Sequence, residues 1–270
     1  MPLLVLFLVF LFPVIVSSQD ELNFIVCSSD LYPSGSPFES ALRFLLNNLT
    51  ALPPKSPFLY SSFSSSLISG FAQCRPDSSI AACANCLLAS SSKLANVAAD
   101  GGCGRSNSAV AYQDLCIFRY SNENISASLD ESIVGYAISV QKASSPANFS
   151  RRAAELMGSI SWDAAMSPAR FAAGAAESGG VQEQRIYGMV WCKLDLMTYD
   201  CFRCLLSAAG KLPFTTVGGR VYEMSCLVRF EVYTFVDPSF IKSPTTSPKF
   251  LAAGVGKENV TTPEGGESAP

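Results

Sequence analysis

The spacing C-x8-C-x2-C occurs twice in this chain, as Cys74/Cys83/Cys86 and as Cys192/Cys201/Cys204. The match runs beyond the cysteines. Gly70-Phe-Ala-Gln-Cys74-Arg-Pro-Asp77 aligns with Gly188-Met-Val-Trp-Cys192-Lys-Leu-Asp195. Leu87-Leu88 follows the first C-x2-C and Leu205-Leu206 the second, and Cys116-Ile-Phe-Arg119 aligns with Cys226-Leu-Val-Arg229. The period is too long for a solenoid, so two globular copies of one unit are expected. A first cysteine-rich domain is placed at 22–125 and a second at 133–238. The short polar link at Ser126–Ser132 favours packing of one on the other.

Six cysteines in one domain allow 15 pairings, and spacing alone does not choose among them. The repeat narrows the choice. Cys27 and Cys103 have no counterparts in the second domain, and each domain keeps an even count, so these two are expected to be bonded. Cys83 and Cys86 lie three apart near the start of a helix expected over Ile80–Ala98, sharing a face, and each should reach a different neighbour. The expected bridges are then Cys74–Cys83 and Cys86–Cys116, with Cys192–Cys201 and Cys204–Cys226 in the second copy. A four-thiolate metal site or a redox pair is the rival reading of C-x2-C. The extra cysteines and a secretory context speak for structural disulfides.

That context comes from the N-terminus. Residues 2–16 are uncharged and almost wholly apolar, shorter than the roughly 20 residues of a spanning helix. They end in Val16-Ser17-Ser18, so residues 1–18 read as a signal peptide. No second run of spanning length follows, and no transmembrane span is expected in the mature chain. Residues 242–270 are rich in Pro, Thr, Ser, Gly and Glu and read as a disordered tail. Asn48, Asn124, Asn148 and Asn259 each open an N-x-S/T sequon, in keeping with an extracellular glycoprotein.

Composition removes several function classes. Histidine is absent, which excludes Ser-His-Asp and Cys-His nucleophile systems and imidazole metal centres. A carboxylate pair stays open as catalytic apparatus, but no enzyme activity, metal or cofactor is expected. The net charge of −3 offers no field for nucleic acid.

Ser36-Pro37-Phe38-Glu39 is a helix start, and Phe38, Ala41, Leu42, Leu45, Leu46 and Leu49 follow as an apolar stripe. Phe149 to Ile160 does the same in the second copy. Strand-like segments are Asn23–Cys27, Ala109–Tyr120, Val134–Gln141, Arg185–Cys192 and Gly219–Phe235. Two helices on an antiparallel sheet in each domain make an α+β fold. Arg119 and Arg229 recur, as do Asp77 and Asp195, and structural pairing between them is expected.

With these residues in view, the chain resembles the ginkbilobin-type plant cysteine-rich secretory domain, over about residues 22–238. The resemblance implies two helices on a five-stranded antiparallel sheet in each of two tandem, disulfide-stapled domains. It implies first-to-fifth, second-to-third and fourth-to-sixth bridging, which agrees with the pairing above. The domains occur in tandem in cysteine-rich repeat secretory proteins, in cysteine-rich receptor-like kinase ectodomains and in plasmodesmata-located proteins.

The resemblance also implies a mannose site: an Asn after the first cysteine, an Arg six before the last and a Glu five after it. The first domain has Ser28, Val110 and Ser121 there. The second keeps Arg220 and Glu231, and its Asn position has no cysteine to locate it. An Arg and a Glu can bracket vicinal hydroxyls, or pair with each other across two strands. The expected protein is therefore a secreted, apoplastic, non-enzymatic recognition protein in plant defence or stress signalling, its partner an extracellular protein or a cell-wall glycan. A truncated receptor-kinase ectodomain and a mannose-binding antifungal lectin acting through the second domain are the alternatives.

Overall fold

The computed structural model describes residues 24–51, 60–96, 102–179 and 184–242. The expected signal peptide, the tail from residue 243 on and the sequon at Asn259 lie outside them. The first repeat runs β1 (Phe24–Cys27), α1 (Pro37–Ala51), β2 (Tyr60–Ser64), β3 (Ser69–Cys74), α2 (Ile80–Ala95), β4 (Ser108–Tyr112) and β5 (Cys116–Ser121). The second runs β6 (Ile133–Ile138), α3 (Pro146–Met166), β7 (Phe171–Glu177), β8 (Arg185–Cys192), α4 (Thr198–Gly210), β9 (Gly218–Glu223), β10 (Cys226–Glu231) and β11 (Ile241–Lys242). The sheet orders are β1-β4-β5-β3-β2 and β11-β7-β8-β10-β9-β6, the same order twice. The second sheet gains a sixth strand, because β11 pairs parallel to the edge of β7.

Local chemistry explains the helices. Gly35, at φ 74°, donates its N–H to Glu39 Oε2 at 2.7 Å, and Glu39 N–H reaches Ser36 Oγ at 3.4 Å, so two side chains cap the start of α1. Ser79 caps α2 through Ala82 N–H. Leu42, Leu45, Leu46 and Leu49 bury the α1 stripe against sheet one, and Phe149, Ala153, Leu156, Met157 and Ile160 bury that of α3. The recurring Gly70 and Gly188 sit under these helices. A Cβ on Gly70 would come within 2.8 Å of Leu45 Cδ1, and one on Gly188 within 2.9 Å of Ile160 Cδ1. The repeat keeps glycine there because the helix rests on the strand backbone.

All ten cysteines are bonded. Cys74–Cys83 and Cys192–Cys201 tie a strand end to the following helix, Cys86–Cys116 and Cys204–Cys226 tie that helix to the last strand, and Cys27–Cys103 closes the first repeat alone. In register, Cys27 faces Ala109 and Ile138 faces Gly219, so Ile138 stands where the second repeat lacks a cysteine. Ile138 and Phe214 both pack against the second core, which includes Leu212, an apolar cluster in place of the bridge.

The face of each sheet away from its helices is also buried, against the other sheet. Phe71, Val110, Tyr112 and Ile117 meet Phe171, Met189, Trp191, Tyr222 and Leu227 in a third core. The layers run helices, sheet, sheet, helices. Reciprocal polar clamps hold the halves. Arg75 donates to the Phe235 carbonyl at 3.2 Å, and Asp77 accepts the Asp237 N–H at 3.1 Å. In mirror fashion Lys193 donates to the Ile125 carbonyl, and Asp195 accepts the Ala127 N–H at 2.9 Å. Equivalent residues of one repeat thus grip equivalent residues of the other, as in an isologous dimer interface.

These clamps correct the expected ion pairs. Asp77 pairs with Arg75 at 2.6 Å and Asp195 with Lys193 at 3.0 Å, whereas Arg119 reaches Asp130 and Arg229 reaches Asp114 and Glu231. Arg119 faces Phe71, three rungs before Cys74, so Asp77 lies past the strand end and out of its reach. Two expected strands also divide. Ala109–Tyr120 becomes the hairpin β4–β5 and Gly219–Phe235 the hairpin β9–β10. The strands β2, β3 and β7 were not expected: Phe171-Ala-Ala-Gly-Ala-Ala-Glu177 carries little β-propensity and no polar alternation, because both its faces are covered. Helix α3 extends to Met166, past the expected Ile160.

Candidate functional site

The β9–β10 hairpin sets Arg220 opposite Arg229 and Gly218 opposite Glu231. Strand alternation puts these residues on the sheet face that carries Tyr222 and Leu227 into the inter-sheet core. Toward Gly218 this face opens to solvent as a depression of about 360 Å³, lined by Ile138, Ser139, Gly218, Arg220, Glu231 and Tyr233 among others. That volume is at the lower end of small-ligand sites.

Arg229 is fully engaged. It donates to Glu231 Oε1 at 3.1 Å, to Asp114 Oδ1 at 2.9 Å and to Tyr233 OH at 3.1 Å, and it lies 4.1 Å over the Phe235 ring. Burial alone would lower its pKa, but Asp114 and Glu231 outweigh burial and hold it above the ordinary value. Its role is to fix Glu231.

Arg220 is held differently. Its Nη1 lies 3.5 Å from Tyr222 OH and 3.8 Å from Asp114 Oδ1, both long contacts. A guanidinium carries five N–H donors, so most of this one is unspent. Its side chain is 13% exposed, at the wall of the depression. Glu231 gives Oε1 to Arg229, while Oε2 lies across Gly218, where a Cβ would come within 2.0 Å of it. The glycine makes room for the carboxylate. Arg220 and Glu231 therefore do not pair with each other. One presents free donors and the other a free acceptor to the same depression, a geometry suited to a polyol.

The sequence singles out neither Ser139 of this site nor Asp114, which touches Arg220 and Arg229 from outside the lining. Ser139 follows Ile138, the counterpart of Cys27, and so occupies the position after the missing cysteine; its N–H donates to Gly218 O at 3.0 Å. Counting back from Cys226 along β9 and across to β6 could have found it. Asp114 comes from the β4–β5 turn of the other repeat, and no spacing signals it. In the first repeat Val110 is buried in the inter-sheet core and Ser121 is buried on β5. Packing fills the place that is open in the second.

Among the described residues, Cys204, Glu223 and Cys226 form one cluster of metal-ligand types. The two sulfurs are bonded to each other, so a single carboxylate remains and the set does not fit a metal. Asn124 and Asn148 are exposed, and Asn48 is partly exposed on α1.

Comparison with known proteins places these features in company. The family described as "Salt stress response/antifungal" matches residues 26–123 and again 137–233. The antimicrobial ginkbilobin-2-like protein of Castanea crenata is 30% identical over 227 residues, 82% of this chain and 91% of that protein. Cysteine-rich receptor-like protein kinase 6 of Arabidopsis thaliana is 28% identical over 84% of this chain, which spans about a third (34%) of the kinase's length. The crystal structure of the tandem DUF26 ectodomain of the cysteine-rich receptor-like protein PDLP8 of Arabidopsis thaliana superposes with a TM-score of 0.63, at 22% identity, covering 77% of this chain and 96% of that one. No described helix is long and apolar enough to cross a membrane.

Proposed function

The chain belongs to the salt stress response/antifungal family, with two DUF26 domains in tandem, and from that premise we propose that it is a secreted, non-enzymatic recognition protein of plant defence that binds a neutral cell-wall glycan through its second repeat. One observation carries this reading: the unspent guanidinium of Arg220 and the free Oε2 of Glu231 line one depression. A charged donor and a charged acceptor that far from mutual pairing can bracket vicinal hydroxyls of a hexose. Mannose is the hexose that the ginkbilobin resemblance implies, with Ser139 standing where the Asn would be. The absence of histidine supports a binding role over a catalytic one. The apoplast is the proposed site of action.

The test is a glycan array with mannans, run on the secreted protein and on the Arg220→Ala/Glu231→Ala double variant. Mannan binding that the double variant loses is expected. Mannan binding that it keeps would move the site elsewhere, and absence of binding would retire the sugar reading.

A second reading follows from the match to a kinase ectodomain: the chain acts as the sensing half of a receptor. Sequencing of the full transcript decides it. A reading frame that continues beyond Pro270 into a spanning helix would establish it.

A further inference from the structure

We propose that Asp114, supplied by the first repeat, sets the ligand class of the site in the second, restricting it to neutral sugars; this rests on the glycan reading above. Asp114 lies at the centre of three arginines. Its Oδ1 is 2.9 Å from Arg229 Nη1 and 3.8 Å from Arg220 Nη1, and its Oδ2 is 3.5 Å from Arg75 Nη1. Two further carboxylates complete the cluster, Glu231 on Arg229 and Asp77 on Arg75. Three cations thus face three anions, and the formal charge is zero.

That balance decides what the site accepts. A neutral hexose meets a matched donor and acceptor. An acidic sugar would meet the Glu231 carboxylate at the wall, and Asp114, in contact with Arg220 from outside the lining, offsets the positive charge that would attract it. Of the three carboxylates, Asp114 is the one whose contacts with the other repeat end on Arg220 and Arg229. It is 30% exposed, close enough to solvent to act on an incoming charge. Its turn ties to its own repeat through the Asp114 carbonyl, which accepts from Arg75 at 3.3 Å. The carboxylate is therefore held in place from the first repeat while its Oδ1 touches Arg220 and Arg229 of the second, in contact with the lining of the depression rather than part of it. The site is composite, and the second repeat alone would present an excess positive charge.

The experiment is Asp114→Asn in the full secreted chain, with Asp114→Glu beside it. Mannan and polygalacturonate are titrated in parallel at low salt. Asn keeps the size of Asp and one acceptor oxygen, and removes the negative charge. The account expects mannan affinity to fall about tenfold, because Arg220 loses the charge that orients it. It expects polygalacturonate affinity to rise about tenfold, with the rise lost in high salt. Asp114→Glu should retain the mannan preference. A purely structural role would lower both affinities together, so opposite changes distinguish the two. Equal binding by wild type and Asp114→Asn, or a parallel loss of both ligands, would overturn the proposal and leave the glycan reading intact. Wild-type preference for polygalacturonate would also overturn it. Wild type that binds neither polymer would sink both the glycan reading and this one.

Discussion

Tyr112 and Tyr222 hold the same place in the two repeats, four residues before the last cysteine, and their rings meet edge to face at 5.3 Å in the inter-sheet core. Contact between equivalent residues marks the approximate two-fold relation of the halves. The Tyr112 hydroxyl breaks the symmetry by donating to the Glu223 carbonyl at 2.5 Å. Tyr112 and Tyr222 are both buried, and burial pushes both phenols up, so neither ionises in the physiological range. The interface is therefore built as a protein interior, and the two repeats should unfold together.

Lys193 tests that coupling. Its ammonium is buried, pairs with Asp195 at 3.0 Å, donates to Ile125 O and faces the Phe71 ring at 5.3 Å. Burial lowers its pKa, against the pull of Asp195. Lys193→Ala leaves the Ile125 carbonyl and Asp195 without their cation, at a cost of about 2–3 kcal/mol, since Asp195 keeps partial contact with water. Calorimetry should show one transition in wild type and a lower, broadened or split one in the variant. An unchanged Tm would mean that the clamp contributes little.

The Glu223 carboxylate is fully enclosed between Ser207, Lys211 and the Cys204–Cys226 bridge. Burial pushes its carboxyl up despite the pull of Lys211 and Ser207. Its folded pKa then exceeds the unfolded one of 4.5, so its contribution to stability is complete below that value and is lost as pH rises through the folded pKa. The first repeat has Gln113 at this place, bonded to Ser90 at 2.8 Å. Glu223→Gln should remove this group's contribution to the pH dependence. The Tm difference in favour of the variant should be larger at about pH 7 than at about pH 4. A gap that shrinks toward neutral pH would contradict this.

Gly218→Ala separates site from scaffold. The new methyl would displace the Glu231 carboxylate, the far end of a flexible side chain, while the strand stays paired. Glycan affinity should drop about tenfold with a Tm change of a few degrees at most, read by calorimetry and thermal unfolding. Undiminished binding would remove Glu231 from the site.

Cys27–Cys103 closes a span of 76 residues that the second repeat leaves to Ile138, Leu212 and Phe214. The Cys27→Ser/Cys103→Ser variant should lose about 2–4 kcal/mol. Denaturant unfolding measures it. Because neither cysteine lines the depression, mannan affinity should hold at temperatures where the variant is folded.

The fold was legible where the sequence repeats itself. Gly70 and Gly188, the doubled C-x8-C-x2-C and the stripe from Phe38 to Leu49 all signalled two α+β units, and the structure has them. Strand β7 was not legible, because burial on both faces erases the alternation that betrays a strand. The site was half legible. Arg220 and Glu231 stand at fixed distances from Cys226, whereas Ser139 is located only by the β6–β9 register and Asp114 only by the contact between repeats. The ion pairs are not legible in the sequence, because recurring residues of opposite charge need not be neighbours. Asp77 and Asp195 recur because each clamps the other repeat's chain.

The most direct measurement is the Nε–Hε correlation of Arg220 in the labelled protein, followed as mannotriose is added. The account predicts that Arg220 shifts and saturates while Arg119, its counterpart's neighbour in the first repeat, stays fixed. An Arg220 signal unmoved at ligand excess would contradict the claim that the second repeat carries a sugar site.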